Sequence, residues 1–143
     1  MMKRILPFFL MVALLTVCLS GCGKSAQISD LSRASYVEVR AFSMSEQGYT
    51  DYVISDYQTV NEICAAFSDL TLKKVKDNCK PHQIAYTLQF YNHSHALVDS
   101  ITVLAGSNTL DYDGDLYNVD FNVQAYMDGV VAKLTPARPD GAQ

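Results

Sequence analysis

The chain has 143 residues, of which 49% are hydrophobic and 18% are charged, and its formal net charge is −4. This length suits one globular domain and leaves little room for a second. The acidic balance argues against a nucleic-acid-binding surface and against electrostatic adhesion to anionic lipids, because both require an excess of basic side chains.

The first 22 residues have the order of segments that is typical of a secretory signal. Lys3 and Arg4 form a basic head, residues 5–19 are apolar and uncharged, and two small residues precede a cysteine. The end of this segment resembles the lipobox of bacterial lipoproteins, with the sequence Leu19-Ser20-Gly21-Cys22. The resemblance implies cleavage before Cys22 and a palmitate-type lipid on its thiol. Such an anchor would hold the protein on the extracytoplasmic face of the cell membrane.

Cleavage at this point would leave 122 residues with a formal charge of −6, because Lys3 and Arg4 are removed. The alternative is that residues 1–21 stay on the chain as a membrane helix, although their apolar run is shorter than the roughly 20 residues that span a bilayer. After cleavage, the composition predicts a flexible tether, a single domain and a disordered tail, over residues 22–35, 36–135 and 136–143.

The predicted domain begins with two strands and a helix. Residues 36–42 alternate between apolar and polar side chains and predict a half-buried strand, and residues 49–54 predict its hairpin partner. Ser55 or Asp56 can cap the helix that follows. Three lysines in residues 71–76 indicate a short strand at a sheet edge. The helix has one apolar stripe, formed by Val60, Ile63, Cys64 and Phe67.

Four further strands and a second helix complete the predicted domain. The alternation over residues 82–91 and 97–104 predicts two long strands, and Asp113-Gly114 is a hairpin signal between two short ones. Asp120 can cap a last helix. The order β-β-α-β-β-β-β-β-α predicts an α+β fold, with a mainly antiparallel sheet, both helices on one face and a polar opposite face.

The sequence contains no complete catalytic or cofactor-binding motif. Gly-x-Ser-x-Gly is absent, and the Gly-Lys-Ser at residues 23–25 lacks the first glycine, the strand and the helix of a phosphate-binding loop. We therefore predict that the protein is not an enzyme and that it has no catalytic residue and no cofactor.

Two short segments contain side chains that bind metals in other settings. The acidic run Asp111 to Asp115 has its glycine at the fourth position rather than the sixth, so it does not match a calcium loop. His93 and His95 offer two imidazoles, but His82 lies too far along the predicted strand to be a third ligand. No metal site is predicted, and divalent-metal binding is the weakest of our functional alternatives.

The mature chain retains two cysteines besides the predicted lipid anchor. A disulfide between Cys64 and Cys79 would close a loop of about 15 residues and would stabilise the protein by roughly 3 kcal/mol. The alternative is that Cys64 is a small core residue and Cys79 a loop thiol. An oxidising compartment permits the disulfide, but spacing alone does not decide between these alternatives.

The composition includes nine tyrosines and no tryptophan. Tyrosine is enriched at protein interfaces, although β-propensity alone also explains its use in a sheet. If the protein has a binding surface, we expect it on the sheet face away from the helices. The candidate binding residues are Tyr91, Tyr112 and Tyr117.

Three segments resemble small single-domain lipoproteins of Gram-positive bacteria whose domains have no assigned activity, namely residues 70–74, 86–91 and 111–119. The resemblance implies the same membrane location and transfers no catalytic residue. We therefore expect a non-enzymatic binding or interaction domain, tethered to the membrane by lipid at Cys22, with an envelope protein or a small ligand as partner and no nucleic acid. The alternative is a small inhibitor or accessory factor of an envelope enzyme.

Overall fold

The computed structural model describes residues 26–43, 47–76 and 83–137. Within these ranges, one seven-stranded antiparallel sheet is combined with two α-helices, which confirms the predicted α+β fold and the predicted element order. The strands are β1 (Tyr36–Ser43), β2 (Gly48–Ile54), β3 (Lys73–Lys74), β4 (Ile84–Tyr91), β5 (Leu97–Leu104), β6 (Thr109–Tyr112) and β7 (Asp115–Asn118). The helices are α1 (Tyr57–Ser68), between β2 and β3, and α2 (Val123–Val131), after β7.

The strand order across the sheet is β2-β1-β4-β5-β6-β7-β3. The predicted meander of β4 to β7 is confirmed, and β1 joins it by pairing antiparallel with β4. β3 lies beside β7 at one edge, as its lysines predicted, and β2 forms the other edge. The nonlocal pairing of β1 with β4 therefore places the first hairpin at the far side of the sheet from β3.

The core lies between the helices and one face of the sheet. Val37 and Val39 of β1 are buried on this face, opposite Phe90 and Leu88 of β4. The predicted apolar stripe of α1 is entirely buried, and its Phe67 meets Phe90 edge to face at a centroid distance of 6.1 Å. α2 adds Val123 and Met127 to the same core, so both helices cover one face, as predicted.

A polar contact also joins α2 to the covered face. The Tyr86 hydroxyl donates a hydrogen bond to the Asp128 carboxylate of α2. The Tyr86 ring is buried, and this burial, together with the bond to Asp128, raises the pKa of its hydroxyl well above the ordinary value. The contact therefore holds α2 against β4 while its phenol is protonated.

Each helix has one N-cap residue in the structure. Asp56, rather than Ser55, caps α1, because its carboxylate accepts the Thr59 N–H at 2.9 Å, and this hydrogen bond lowers the pKa of Asp56. The prediction that Asp120 caps α2 is wrong. Asn122 caps it instead, with its Oδ1 accepting the Ala125 N–H at 2.9 Å, whereas Asp120 pairs with Lys73 of β3.

The described part of the predicted tether belongs to the domain. Ala26 forms an isolated β-bridge with Leu72, and the side chains of Ile28 and Leu31 are buried in the core. Asp30 caps a short 3-10 helix, Leu31–Arg33, by accepting the Ser32 N–H. The prediction of a flexible tether through residue 35 is therefore wrong from residue 26 onward, and residues 22–25 lie outside the described residues.

The described end of the chain also contacts the sheet. The Ala137 N–H donates to the Asp51 carbonyl of β2 at 2.8 Å, so residues 136 and 137 lie against the edge strand, where a disordered tail was predicted. Residues 138–143 lie outside the described residues. Neither of the described helices is long and apolar enough to cross a membrane.

Candidate binding surface

The sheet face away from the helices carries the candidate site. Side chains alternate between the two faces of a strand, so the residues between the buried positions of β1, β2 and β4 share this face. The strand register makes them neighbours: Arg40 lies opposite Asp51 and Thr87, and Tyr36 lies opposite Tyr91. We call this surface the open face; it comprises Tyr36, Glu38, Arg40, Phe42, Tyr49, Asp51, Val53, Thr87, Gln89 and Tyr91.

One corner of the open face exposes apolar surface. The exposed fractions of Phe42, Tyr49 and Val53 are 39%, 57% and 54%. The Phe42 and Tyr49 rings are 6.1 Å apart, and the Arg40 guanidinium carbon lies 4.0 Å from the centre of the Tyr49 ring. In this cation–π contact the guanidinium lies over the Tyr49 ring, and more than half of the side chain stays exposed to water.

An ion pair occupies the centre of the open face. Arg40 donates from Nε to Asp51 Oδ1 at 2.8 Å and from Nη2 to Oδ2 at 3.0 Å. The hydrogen bond to Asp51 raises the pKa of Arg40, so the guanidinium stays charged. An exposed ion pair contributes little to stability, but its two-point geometry fixes the direction of both side chains.

The other end of the open face is an aromatic cluster. The rings of Tyr36 and Tyr91 stack at a centroid distance of 5.1 Å with an interplanar angle of 11°. The Tyr36 hydroxyl lies 2.9 Å from His95 Nδ1, and burial is the main cause that raises the pKa of Tyr36. Asn92 Oδ1 accepts the Ser94 and Ala96 N–H groups, which holds His95 in place at a φ of 58°.

A shallow groove runs along the open face between these two ends. Its volume is about 680 Å³, and it extends over β2, β1 and β4 to Pro136 and Ala137. Its walls include aromatic rings, a guanidinium, carboxylates, and the amide of Gln89. Groups of these kinds form apolar contacts and hydrogen bonds at protein interfaces.

The three candidate tyrosines lie in different places. Tyr91 is on the open face, as predicted. Tyr112 lies opposite buried Ile101, and its hydroxyl donates to Asp99 at 2.9 Å while it accepts the Ser29 N–H at 3.0 Å, so it holds the N-terminal segment to the sheet. Tyr117 is buried opposite Leu110. The expectation that Tyr112 and Tyr117 share the surface with Tyr91 is therefore corrected.

Sequence reasoning did not single out Tyr36, Arg40 and Phe42. The signal was present in the alternation of β1, because positions out of phase with Val37 and Val39 must face the other way. The cluster itself required the pairing of β1 with both β2 and β4, which local patterns do not specify.

Cys64, the one cysteine among the described residues, lies outside the open face. Cys64 is buried on α1, and this burial raises the pKa of its thiol. It has no disulfide partner among the described residues. Cys22 and Cys79 lie outside the described residues, so the lipid anchor and the Cys64–Cys79 disulfide stay predictions.

Two residues of the weaker metal-binding alternative, Asp115 and His95, have other contacts. Asp113 and Gly114 both have positive φ angles, 52° and 79°, as the predicted Asp-Gly hairpin turn requires. Asp115 accepts a hydrogen bond from Lys74 at 2.7 Å, and His95 is engaged with Tyr36. Within the ranges that the structure describes, no three His, Cys, Asp or Glu side chains converge where a metal ion could be held.

No protein-family model matches the chain, and no curated protein or solved structure shows significant similarity to it. The open face is therefore interpreted from its own geometry and chemistry.

Proposed function

We propose that this protein is a non-enzymatic binding domain, held outside the cytoplasm by lipid on Cys22, and that the open face is its binding surface. The observation that carries the proposal is the exposed corner of Phe42, Tyr49 and Val53 beside Arg40. Adjacent exposed aromatic and aliphatic side chains are costly in water, and aromatic residues and arginine are enriched where proteins bind partners.

The proposed anchor would attach close to one edge of the sheet. Ala26 is bridged to Leu72, next to β3, and only residues 23–25 separate it from Cys22. Four Cα–Cα steps span at most about 14 Å, so a lipid on Cys22 would keep this edge near the bilayer surface. β2 is at the other end of the seven strands, roughly 29 Å away at about 4.8 Å per strand spacing. The exposed corner would then be on the side of the domain that is farther from the anchor.

Metabolic labelling with a palmitate analogue in native cells tests the anchor. We expect label on the wild-type protein and on Cys64→Ser, and none on Cys22→Ser, because the proposal assigns the lipid to that one thiol. Label that persists on Cys22→Ser would contradict the anchor.

Site-specific photocrosslinking in native cells tests the binding surface. A photoreactive phenylalanine analogue at Tyr49 should give adducts with a defined partner, which mass spectrometry would identify. Tyr57 is the matched control, because it is also an exposed tyrosine, at 81%, but lies at the start of α1 in the helix layer. Equal adducts from both positions, or adducts from Tyr57 alone, would contradict binding through the open face.

A further inference from the structure

We propose that the outer edge of β2 is a strand-addition site for an extended peptide segment with a basic residue between two apolar ones, and that residues 136 and 137 cover part of this site in the unbound protein. The inference rests on the proposed function, because it names the class of partner for the same corner of the open face.

The backbone of β2 carries the first part of the argument. The Asp51 carbonyl accepts a hydrogen bond from Ala137, outside the sheet, so this carbonyl points away from β1. Backbone groups alternate in direction along a strand, so those of Tyr49 and Val53 also point outward. No other described residue hydrogen-bonds to these outward groups. A row of edge groups that the described residues leave unpaired is a template for an added strand.

The two edges of the sheet differ in how they discourage added strands. β3 has only two residues, both lysines, and they pair with Asp120 and Asp115. β2 has seven residues and contains no lysine and no proline. Lysine, proline and short length are usual protections of an edge, so among the described strands β2 is the less protected edge. Its one charged residue is Asp51.

The side chains of β2 specify the chemistry of the added strand. A residue placed opposite Asp51 would project onto the open face beside this carboxylate, and the residues two positions away would lie beside Tyr49 and Val53. The groove contains the two carboxylates of Glu38 and Asp51 and the one guanidinium of Arg40, which gives a local formal charge of −1. The formal net charge of the whole chain is −4. A basic side chain is therefore favoured in the centre, with apolar side chains against the exposed surfaces of Tyr49 and Val53.

The chain itself already places a backbone segment at this position. Ala137 donates one backbone hydrogen bond to the Asp51 carbonyl at 2.8 Å, and Pro136 has no N–H to donate. Both residues line the groove. A partner strand must displace them, and one such bond changes an equilibrium by about 3- to 10-fold.

The test is the binding of a fluorescent peptide, carboxyfluorescein-Gly-Thr-Val-Thr-Lys-Thr-Val-Thr-amide, to the full chain purified in detergent, measured by fluorescence anisotropy. Deleting residues 136–143 should tighten binding by about 3- to 10-fold, because it removes the covering segment. Val53→Lys should weaken binding at least about fivefold, since it places a like charge at the edge. Circular dichroism checks that each variant keeps its sheet. Unchanged affinity in both variants would overturn the proposal, as would failure of the shortened chain to bind the peptide.

Modified peptides test the strand geometry and the charge. N-methylation of alternate residues should abolish binding when it blocks the edge that faces β2 and should leave it intact when it blocks the other edge. Replacing the central Lys by Glu should weaken binding about two- to fivefold, and Asp51→Asn should remove this preference. Equal loss from methylation of either edge would overturn strand addition.

The outcome also separates this inference from the proposed function. Adducts from the photoreactive group at Tyr49, together with absence of peptide binding, would overturn strand addition and leave the open face as the binding surface. Absence of adducts and of peptide binding would overturn both.

Discussion

The two faces of the sheet are formed by the same strands but differ in burial: one face is covered by the helices and the other is open. On the covered face, β1 and β4 contribute Val37, Val39, Leu88 and Phe90, all buried under α1 and α2. On the open face, the same strands contribute Glu38, Arg40, Thr87 and Gln89, and the neighbouring β2 exposes Tyr49 and Val53. Substitutions on the covered face should therefore change the free energy of unfolding, whereas substitutions on the open face should change binding alone.

Phe90→Ala should have the largest effect on stability. The ring is fully buried and packs against Phe67, so its removal leaves a cavity that should cost about 3–5 kcal/mol. Urea unfolding followed by circular dichroism measures the change. Gln89→Ala, one residue away on the open face, is the matched control and should change stability by less than about 0.5 kcal/mol. Similar losses for the two variants would contradict the division between the faces.

Leu31→Ala tests whether the N-terminal segment belongs to the covered core. Its side chain is 0% exposed, so truncation should cost about 2–4 kcal/mol. Exposed Arg33, in the same short helix, is the control, and Arg33→Ala should leave the unfolding midpoint nearly unchanged. A negligible effect of Leu31→Ala would indicate that this segment is a tether rather than part of the core.

Tyr86→Phe removes the polar link between β4 and α2. We expect a loss of about 1.5 kcal/mol at neutral pH, because the bond to the Asp128 carboxylate is broken. The pKa of Tyr86 is higher in the folded than in the unfolded chain, so this stabilisation is complete below the ordinary pKa of about 10 and is lost as pH rises through the folded-state value. The difference between wild type and Tyr86→Phe in denaturant unfolding should therefore shrink above about pH 10. A constant difference across this range would be inconsistent with the bond.

Asn122→Ala tests the observed cap of α2. Loss of the side-chain bond to the Ala125 N–H should cost about 1 kcal/mol in the same unfolding assay. Asp120→Ala removes the cap that the sequence favoured and should have a smaller effect, since among the described residues its side chain pairs with Lys73 in an exposed ion pair. The reverse order of effects would place the cap at Asp120.

Tyr49→Ala should have the smallest effect on stability, less than about 0.5 kcal/mol, because its ring is 57% exposed. Binding of the fluorescent peptide should fall severalfold, since an apolar contact at the edge is lost. A variant that unfolds more easily while binding normally would assign Tyr49 to the core rather than to the surface.

The local features of this protein were predictable from its sequence. The buried stripe of α1 follows from residue spacing along one helix. The hairpin follows from Asp113-Gly114, two adjacent residues that readily adopt the positive φ angles that its turn requires. The order of the nine elements and the alternation of β1 were predictable for the same reason, because each depends on residues that are close together in the chain.

The tertiary structure alone decided the features that depend on distant partners. The sequence around Ile28 and Leu31 has no periodic apolar pattern. The ordered conformation of this segment is explained by the bridge to Leu72 and by packing in the core. The sequence favoured Asp120 as the cap of α2, whereas in the structure Asp120 pairs with Lys73 and Asn122 is the cap. The open face and the position of Ala137 arise from pairings between strands that are far apart in sequence, and the free energy of such pairings depends on the whole sheet rather than on any local segment.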